Sequence, residues 1–385
     1  MIEEARIIKN LKNFAFPRLS GTGFELKAFN KVKREVENLN LEYKVRRFTF
    51  SSFYSRLYPK IAFLSVSLIL LLLYLNIYMI MSLVFILLLL GIVIASIILT
   101  RKPEKIQFIT KLNSQNLIVR IKSMSNEIKN NDRIALFISH IDSKGQRFKI
   151  RIRIRIIKLW IYSSIVLALI ILFKNFRFIG FEIIFYIIGL FPLILNMFAT
   201  ILMILNTTNN TSEGAVDNAS GIACNLELLN HYNNPENRLI NYNMWFLFTG
   251  AEECGTMGIR HFYNNLEKFD RNKSIIFNFE SIGNHVYIFP GVKGDHAKNI
   301  DYLLLNNKRN LPIRHYHTER VLGTHSDGVF LGDSGLQGFE FGQVEAYDYM
   351  HTPNDTIDKI DTKLLKKLCL ILTDALKKHD SNFIS

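Results

Sequence analysis

Cysteine is nearly absent from this sequence: three residues in 385, Cys224, Cys254 and Cys369. Thiols so few and scattered exclude a disulfide framework and a thiolate metal site, and Cys254 is expected to be a small buried residue. Acids are short relative to bases, 33 against 47, for a net charge of +14. The excess does not point to nucleic acid as a partner, because the bases gather beside apolar blocks and no recognition module is visible. The apolar core of a signal peptide is missing too, since residues 1–20 are charged and broken.

Charge vanishes entirely over residues 61–100, IAFLSVSLILLLLYLNIYMIMSLVFILLLLGIVIASIILT. At about 1.5 Å per residue, a helix of that length would reach about 60 Å, roughly twice a bilayer core of about 30 Å. The run is therefore expected to fold back as a hairpin near Leu75, Asn76 and Ile77. A second apolar block offers spans near 156–173 and 183–205, divided by Lys174, Asn175, Phe176 and Arg177. With 49% hydrophobic residues, the composition predicts an integral membrane protein of four spans in two hairpins. Between the blocks, FKIRIRIRII (148–157) alternates with period two, predicting a strand with Phe148, Ile150, Ile152, Ile154 and Ile156 on one face and bases on the other. Those bases either clamp anionic headgroups, at about 1 kcal/mol each, or act only as a topology signal.

Five residues of metal-ligating type recur in motif-like settings. They are His140 in SHIDSKGQ (139–146), Asp217 in EGAVDNASG (213–221), Glu253 in TGAEECGTMG (249–258), Glu280 in NFESIGN (278–284) and His351 in YMHTPNDT (349–356). Zinc asks for imidazole nitrogens and carboxylate oxygens in a roughly tetrahedral shell with one position open for water. Two ions bridged by one carboxylate need about five such side chains, with Asp217 the natural bridge. Asp142 follows His140 by two positions, hence on the same face of a strand, where it can orient the imidazole. Glu252 precedes Glu253, and adjacent side chains diverge, so one can bind metal while the other serves as general base. Taken singly each residue is an ordinary surface acid or histidine; the ordered set carries the signal. His325, beside Ser326 and Asp327, is the one further histidine with a pocket-like context.

In this order the motifs resemble those of the zinc exopeptidase family that includes bacterial leucyl-type aminopeptidases, glutamate carboxypeptidase and glutaminyl cyclases. AFPRLSGTGFELKAFNKVKREVENLNLEYKVRRFTF (15–50), SQNLIVRIKS (114–123) and HSDGVFLGDSGLQGFEFG (325–342) resemble further segments of that family. The resemblance implies an α/β fold, a mixed central sheet with helices on both faces, and two Zn2+ per chain. It implies that His140 binds one ion, Asp217 bridges, Glu253 and Glu280 bind one ion each, and His351 completes the second site. Glu252 would be the general base, and a peptide the substrate of an aminopeptidase. A single-zinc glutaminyl cyclase-like acyltransferase and a noncatalytic scaffold are the other readings. Two departures stand out: the position of Glu280 is more usually Asp, and His140 lies 77 positions before Asp217 (217 − 140), much of the gap being membrane-like.

That gap constrains topology. His140 and Asp217 must meet, so the chain between them crosses a bilayer an even number of times. The expected organisation is a catalytic domain from 1–56, 101–155 and 206–385, interrupted by hairpins at 57–100 and 156–205, with the lipid bilayer as partner. Lys44, Arg46, Arg47, Arg56, Lys60, Arg101, Lys102 and Lys105 flank the first block, and Arg147 to Lys158 precede the second, which places the catalytic side in the cytoplasm. Within the catalytic segments, helices are expected at 22–39, 221–231 and 361–379, and strands at 45–50, 116–122, 133–140, 243–249 and 274–280.

Overall fold

The computed structural model describes residues 1–77, 80–106, 110–125, 133–175, 182–264, 270–289, 294–316 and 326–382. The chain divides into two compact units, one of Met1–Phe50, Leu112–Gly145 and Asn209–Ser385, the other of Ser51–Lys111 and Gln146–Thr208.

The first unit is built on a sheet of eight strands. These are β1 (Tyr43–Ser51), β2 (Lys111–Ile121), β3 (Ile134–His140), β4 (Asn243–Thr249), β5 (Ile275–Phe279), β6 (Tyr287–Phe289), β7 (Arg314–His315) and β8 (Gln337–Gly342), in spatial order β1-β2-β4-β3-β5-β8-β6-β7. The central four, β4, β3, β5 and β8, are parallel, whereas β2 and β6 run antiparallel to their neighbours β4 and β8. The mixed α/β expectation holds. In register, His140 stands level with Thr249 and Phe279 with Phe341, so the carboxyl ends of the parallel strands form one edge. Ligands of open α/β sheets bind at such an edge.

Strands β2, β3, β4 and β5 feed two cores, because successive side chains point to opposite faces. Ala135, Phe137, Phe246, Phe277 and Phe339 join one cluster with Ile7, Leu11 and Phe14 of α1 (Glu4–Phe14), Val32 and Val36 of α2 (Gly23–Asn38), α3 (Ser220–Asn233) and α7 (Thr362–Ser381). Ile134, Leu136, Ile138, Leu247 and Ile276 turn the other way, onto Ile259 and Phe262 of α4 (Met257–Tyr263) and Leu331 of α6 (Asp327–Asp333). A further helix, α5 (Asp295–Leu305), packs Ile300 and Leu304 into the first cluster. Burial of β3 on both faces explains why RIALFISH reads as an unbroken apolar run rather than an alternating one.

The second unit contains helices Tyr58–Tyr74, Ile80–Thr100, Ile150–Asn175 and Glu182–Leu205. Three stretches, Phe53–Tyr74, Ile150–Lys174 and Ile183–Leu205, are long and apolar enough to cross a membrane; Leu83–Ile98 is a shorter apolar helix. The expectation of four spans in two hairpins is thus met only as three helices of membrane-crossing length among the described residues. The predicted strand at 148–157 is overturned: the segment from Ile150 onward is helical. Alternation over a few residues also fits a helix once a long apolar run continues it, because propagation costs less than nucleation. Polar side chains join three of the helices. Ser67 Oγ donates to Asn196 Oδ1 at 2.7 Å, the Asn196 amide donates to Ser164 Oγ at 2.7 Å, and Trp160 Nε1 donates to Ser67 Oγ at 3.0 Å.

Candidate functional site

His140 ends β3 at the carboxyl edge and is 1% exposed. Its Nδ1 donates to the backbone carbonyl of Asp142 at 3.1 Å, which leaves Nε2 facing Asp217 Oδ1 and Glu280 Oε1, each at 3.1 Å. His351 faces the other way across the same aspartate, with Nε2 3.1 Å from Asp217 Oδ2 and 2.9 Å from Glu253 Oε1. Asp217 therefore offers one oxygen to each histidine.

The local backbone is arranged to permit this. Gly214, at φ +58, opens the segment leading to Asp217, and a Cβ there would lie 2.5 Å from both Asp217 O and Ser143 Cβ. Asp355 accepts the backbone N–H groups of Val216 and Asp217 at 2.7 and 3.2 Å. Asn218 donates to Phe279 O at 2.7 Å, tying the segment to the end of β5, and a Cβ on Gly221 would meet that carbonyl at 2.7 Å. The Asp217–Asn218 peptide is cis.

Glu252 and Glu253 follow β4 after Ala251, which is held at φ +53. Ser281, just after Glu280, and His351 itself also have positive φ, +56 and +61. Left-handed backbone at non-glycine residues is costly and concentrates where a site constrains the chain. Part of the cost at Ala251 is offset by buried Glu25, which accepts its N–H at 2.8 Å and also bonds Gly21 N and Ser114 Oγ. Asp142 grips the same loop: its two carboxylate oxygens accept the N–H groups of Glu252 and Glu253 at 3.1 and 3.0 Å, and Ser20 Oγ donates at 2.5 Å. Its carboxylate stands 3.5 Å from His140 Nδ1, so the imidazole is aligned chiefly by the backbone carbonyl of Asp142, while its side chain aligns the glutamate pair.

Two triads result. His140, Glu252 and Glu280 form one, and Asp217, Glu253 and His351 the other, with ligating atoms in each within 4.8 Å of one another. Their electrostatics pull in opposite directions. Glu253 is held down at about 2 because, against burial, His351 and Lys144 favour the carboxylate; Lys144 Nζ lies 2.7 Å from Glu253 Oε2. Asp217 is likewise driven low by His140 and His351 in spite of burial. Glu280 is pushed up to about 8 by burial, and Glu252 well above the carboxylate range by burial and the Glu280 charge. Burial lowers the proton affinity of His140, but Glu280, Asp142 and Asp217 outweigh it and raise it well above the imidazole range.

A dication fits these donors. The imidazole and carboxylate atoms are 2.9–3.1 Å apart, close to the roughly 3.4 Å edge of a tetrahedron with zinc–ligand bonds of about 2.1 Å. Asp217 Oδ1 and Glu253 Oε1 are buried, with an imidazole nitrogen at 3.1 and 2.9 Å but no well-aligned hydrogen bond, a setting that a bound cation would satisfy. The extra methylene of Glu280 is accommodated, its Oε1 reaching His140 as Asp217 does.

Four supporting residues escaped the sequence reading. Asp355 lies within the quoted YMHTPNDT, and its contact with the Asp217 loop has no sequence signature beyond that motif. Arg18 is fully buried and donates to the carbonyls of Phe14, Ile141, Glu213 and Gly214. Burial lowers it to about 10, which Asp355, Asp142 and Asp217 oppose. Glu25 reads as a surface helix acid, and Asp327 was noted only as a neighbour of His325. The structure buries Asp327 completely, with Thr249 Oγ1 donating to it at 2.5 Å; His325 itself lies outside the described residues. All three cysteines are buried.

Fold and site together define an α/β protein with two carboxylate–histidine clusters at the carboxyl edge of its sheet. Residues 200–375 match the model of Peptidase family M28. A vacuolar membrane protease of Candida glabrata is 26% identical over 159 residues; the match covers 38% of this chain and 15% of that protein's length. BSAP, a zinc aminopeptidase from Bacillus subtilis, superposes with a TM-score of 0.57 at 14% identity, covering 98% of this chain and 95% of its own. A glutaminyl cyclase of Fimbriiglobus ruber does so with a TM-score of 0.54 at 12% identity, covering 98% and 95%. The fold is the one these structures share.

Proposed function

We propose that the chain is a membrane-embedded, zinc-dependent exopeptidase, an aminopeptidase that uses two ions held by His140, Asp217, Glu253, Glu280 and His351. The observation that carries this reading is the division of Asp217, one oxygen 3.1 Å from each histidine, with a further glutamate beside each. Bound there, zinc supplies Lewis acidity and lowers the pKa of coordinated water. The chain's own part is proton handling and alignment. Glu252 belongs to the His140 triad but makes none of the four short imidazole contacts, so its carboxylate is available as general base. Burial and the Glu280 charge raise its proton affinity, the direction that suits a group which accepts a proton and returns it to a leaving amine. Asp142, through the N–H groups of Glu252 and Glu253, keeps base and ligand diverging from one turn.

A glutaminyl cyclase-like enzyme with one zinc is the competing reading, and the presence of both triads favours two ions. The basic flanks of the apolar helices support a cytoplasmic catalytic side. The test is hydrolysis of an aminoacyl-anilide panel by the detergent-purified full chain. Turnover by wild type and a loss of about 10²–10⁴-fold in Glu252→Gln supports the proposal. Cyclisation of an N-terminal glutamine peptide without anilide hydrolysis contradicts it.

A further inference from the structure

The run of alternating bases and isoleucines folds as a helix, and helical spacing changes what it displays. At 3.6 residues per turn, Arg151, Arg155 and Lys158 recur at i, i+4 and i+7 and share one face, with Arg153 on another. Arg151, Arg155 and Lys158 are exposed. The same face continues through Tyr162, which is 64% exposed, to Ile165, Leu169 and Leu172, all exposed. Along one stripe the surface is therefore first cationic, then a tyrosine, then apolar. That is the order of headgroup, interface and hydrocarbon met along a bilayer normal. The rise from Arg151 to Lys158 is about 10 Å, somewhat more than the roughly 5–8 Å of headgroup region on one leaflet.

Charge is unevenly shared between the units. The unit of Ser51–Lys111 and Gln146–Thr208 holds fourteen lysines and arginines against two acids, Glu104 and Glu182, so it carries +12 of the chain's +14. Its own acids cannot neutralise this. An occupant must be anionic where it meets the bases and apolar where it meets Ile165 and Leu169. A nucleic acid or an acidic peptide satisfies only the first requirement.

We propose that the Arg151–Arg155–Lys158 face binds the headgroups of anionic phospholipids. Each base near an anionic surface contributes about fivefold in binding, so the three together contribute roughly a hundredfold. The test uses the full chain in dodecyl maltoside micelles doped with phosphatidylglycerol or phosphatidylcholine, reading retained lipid by native mass spectrometry and the apparent melting temperature. Wild type is expected to retain phosphatidylglycerol and melt several degrees higher with it, and to respond neither to phosphatidylcholine nor to glycerol phosphate, which separates a lipid from a soluble phosphate. The R151Q/R155Q/K158Q variant should lose the response, and R151K/R155K should keep it. R101Q/K102Q/K105Q, which removes three charges elsewhere, should also keep it. Equal responses to both lipids, an unchanged response in R151Q/R155Q/K158Q, or equal loss in R101Q/K102Q/K105Q would overturn the proposal.

Discussion

Asp355 accepts hydrogen bonds from the backbone N–H groups of Val216 and Asp217, so the aspartate shared by two histidines is held by another aspartate 138 residues away. The contact fixes the segment on which both triads depend. Removing it with Asp355→Ala should leave two buried N–H donors unpaired and weaken zinc binding by roughly 10–100-fold. A competition titration against a chelating dye measures this; unchanged affinity would show that the loop holds itself.

Glu25 supports the opposite side of the site through Ala251, whose φ of +53 is stabilised by the hydrogen bond to Glu25. Glu25→Ala is therefore expected to lower kcat by about tenfold or more, through misplacement of Glu252, with zinc content unchanged. An equal fall in zinc content and rate would mean that Glu25 stabilises the whole unit rather than the base.

Metal-free protein should lose stability as pH rises from about 5 to about 8. Burial raises Glu280 and Glu25 to about 8 and Asp327 and Asp355 to about 7, and His140 is raised as well. Over that window the folded chain binds more protons than the unfolded one, so each step up in pH favours unfolding. Asp217 and Glu253, which are depressed, act in the opposite sense at acid pH, and His231 and His379, which burial lowers to about 4, oppose the trend in the lower part of the window, but the raised groups outnumber them. Melting curves of chelated protein should fall by several degrees across the window, and saturating zinc should flatten the slope. A flat profile without metal would contradict the assignment of these buried acids.

In the membrane-type unit, Asn196 is fully buried and bonds both Ser67 and Ser164. Asn196→Ala should cost about 1–2 kcal/mol and lower the melting temperature in detergent by a few degrees, with anilide hydrolysis per folded molecule preserved. No shift would mean that apolar packing alone sets the helix arrangement.

Much of this architecture is legible in the sequence, and the exceptions have physical causes. RIALFISH and NMWFLFT predict β3 and β4 because strands buried on both faces are continuous apolar runs, and the signals at 22–39, 221–231 and 361–379 predict α2, α3 and α7. The five ligand-type residues converge although up to 211 positions separate them (351 − 140). What local pattern could not disclose was long-range support. Arg18 and Glu25 look like surface charges, yet both are buried because backbone groups from distant segments need partners. The opposite error arose at 148–157, where period-two alternation was outweighed by continuation into a long helix. The strand ends at His140, so Asp142 is not on a shared strand face; its carboxylate stands 3.5 Å from the imidazole and holds the glutamate turn more closely.

Elemental analysis of the purified full chain, with Asp217→Asn, His140→Ala and His351→Ala alongside, tests the central claim most directly. Wild type should bind about two zinc ions, each histidine variant about one, and Asp217→Asn substantially fewer than wild type, because only the aspartate serves both sites. Zinc-free wild type, or an Asp217→Asn variant that binds as much as wild type, would contradict the account.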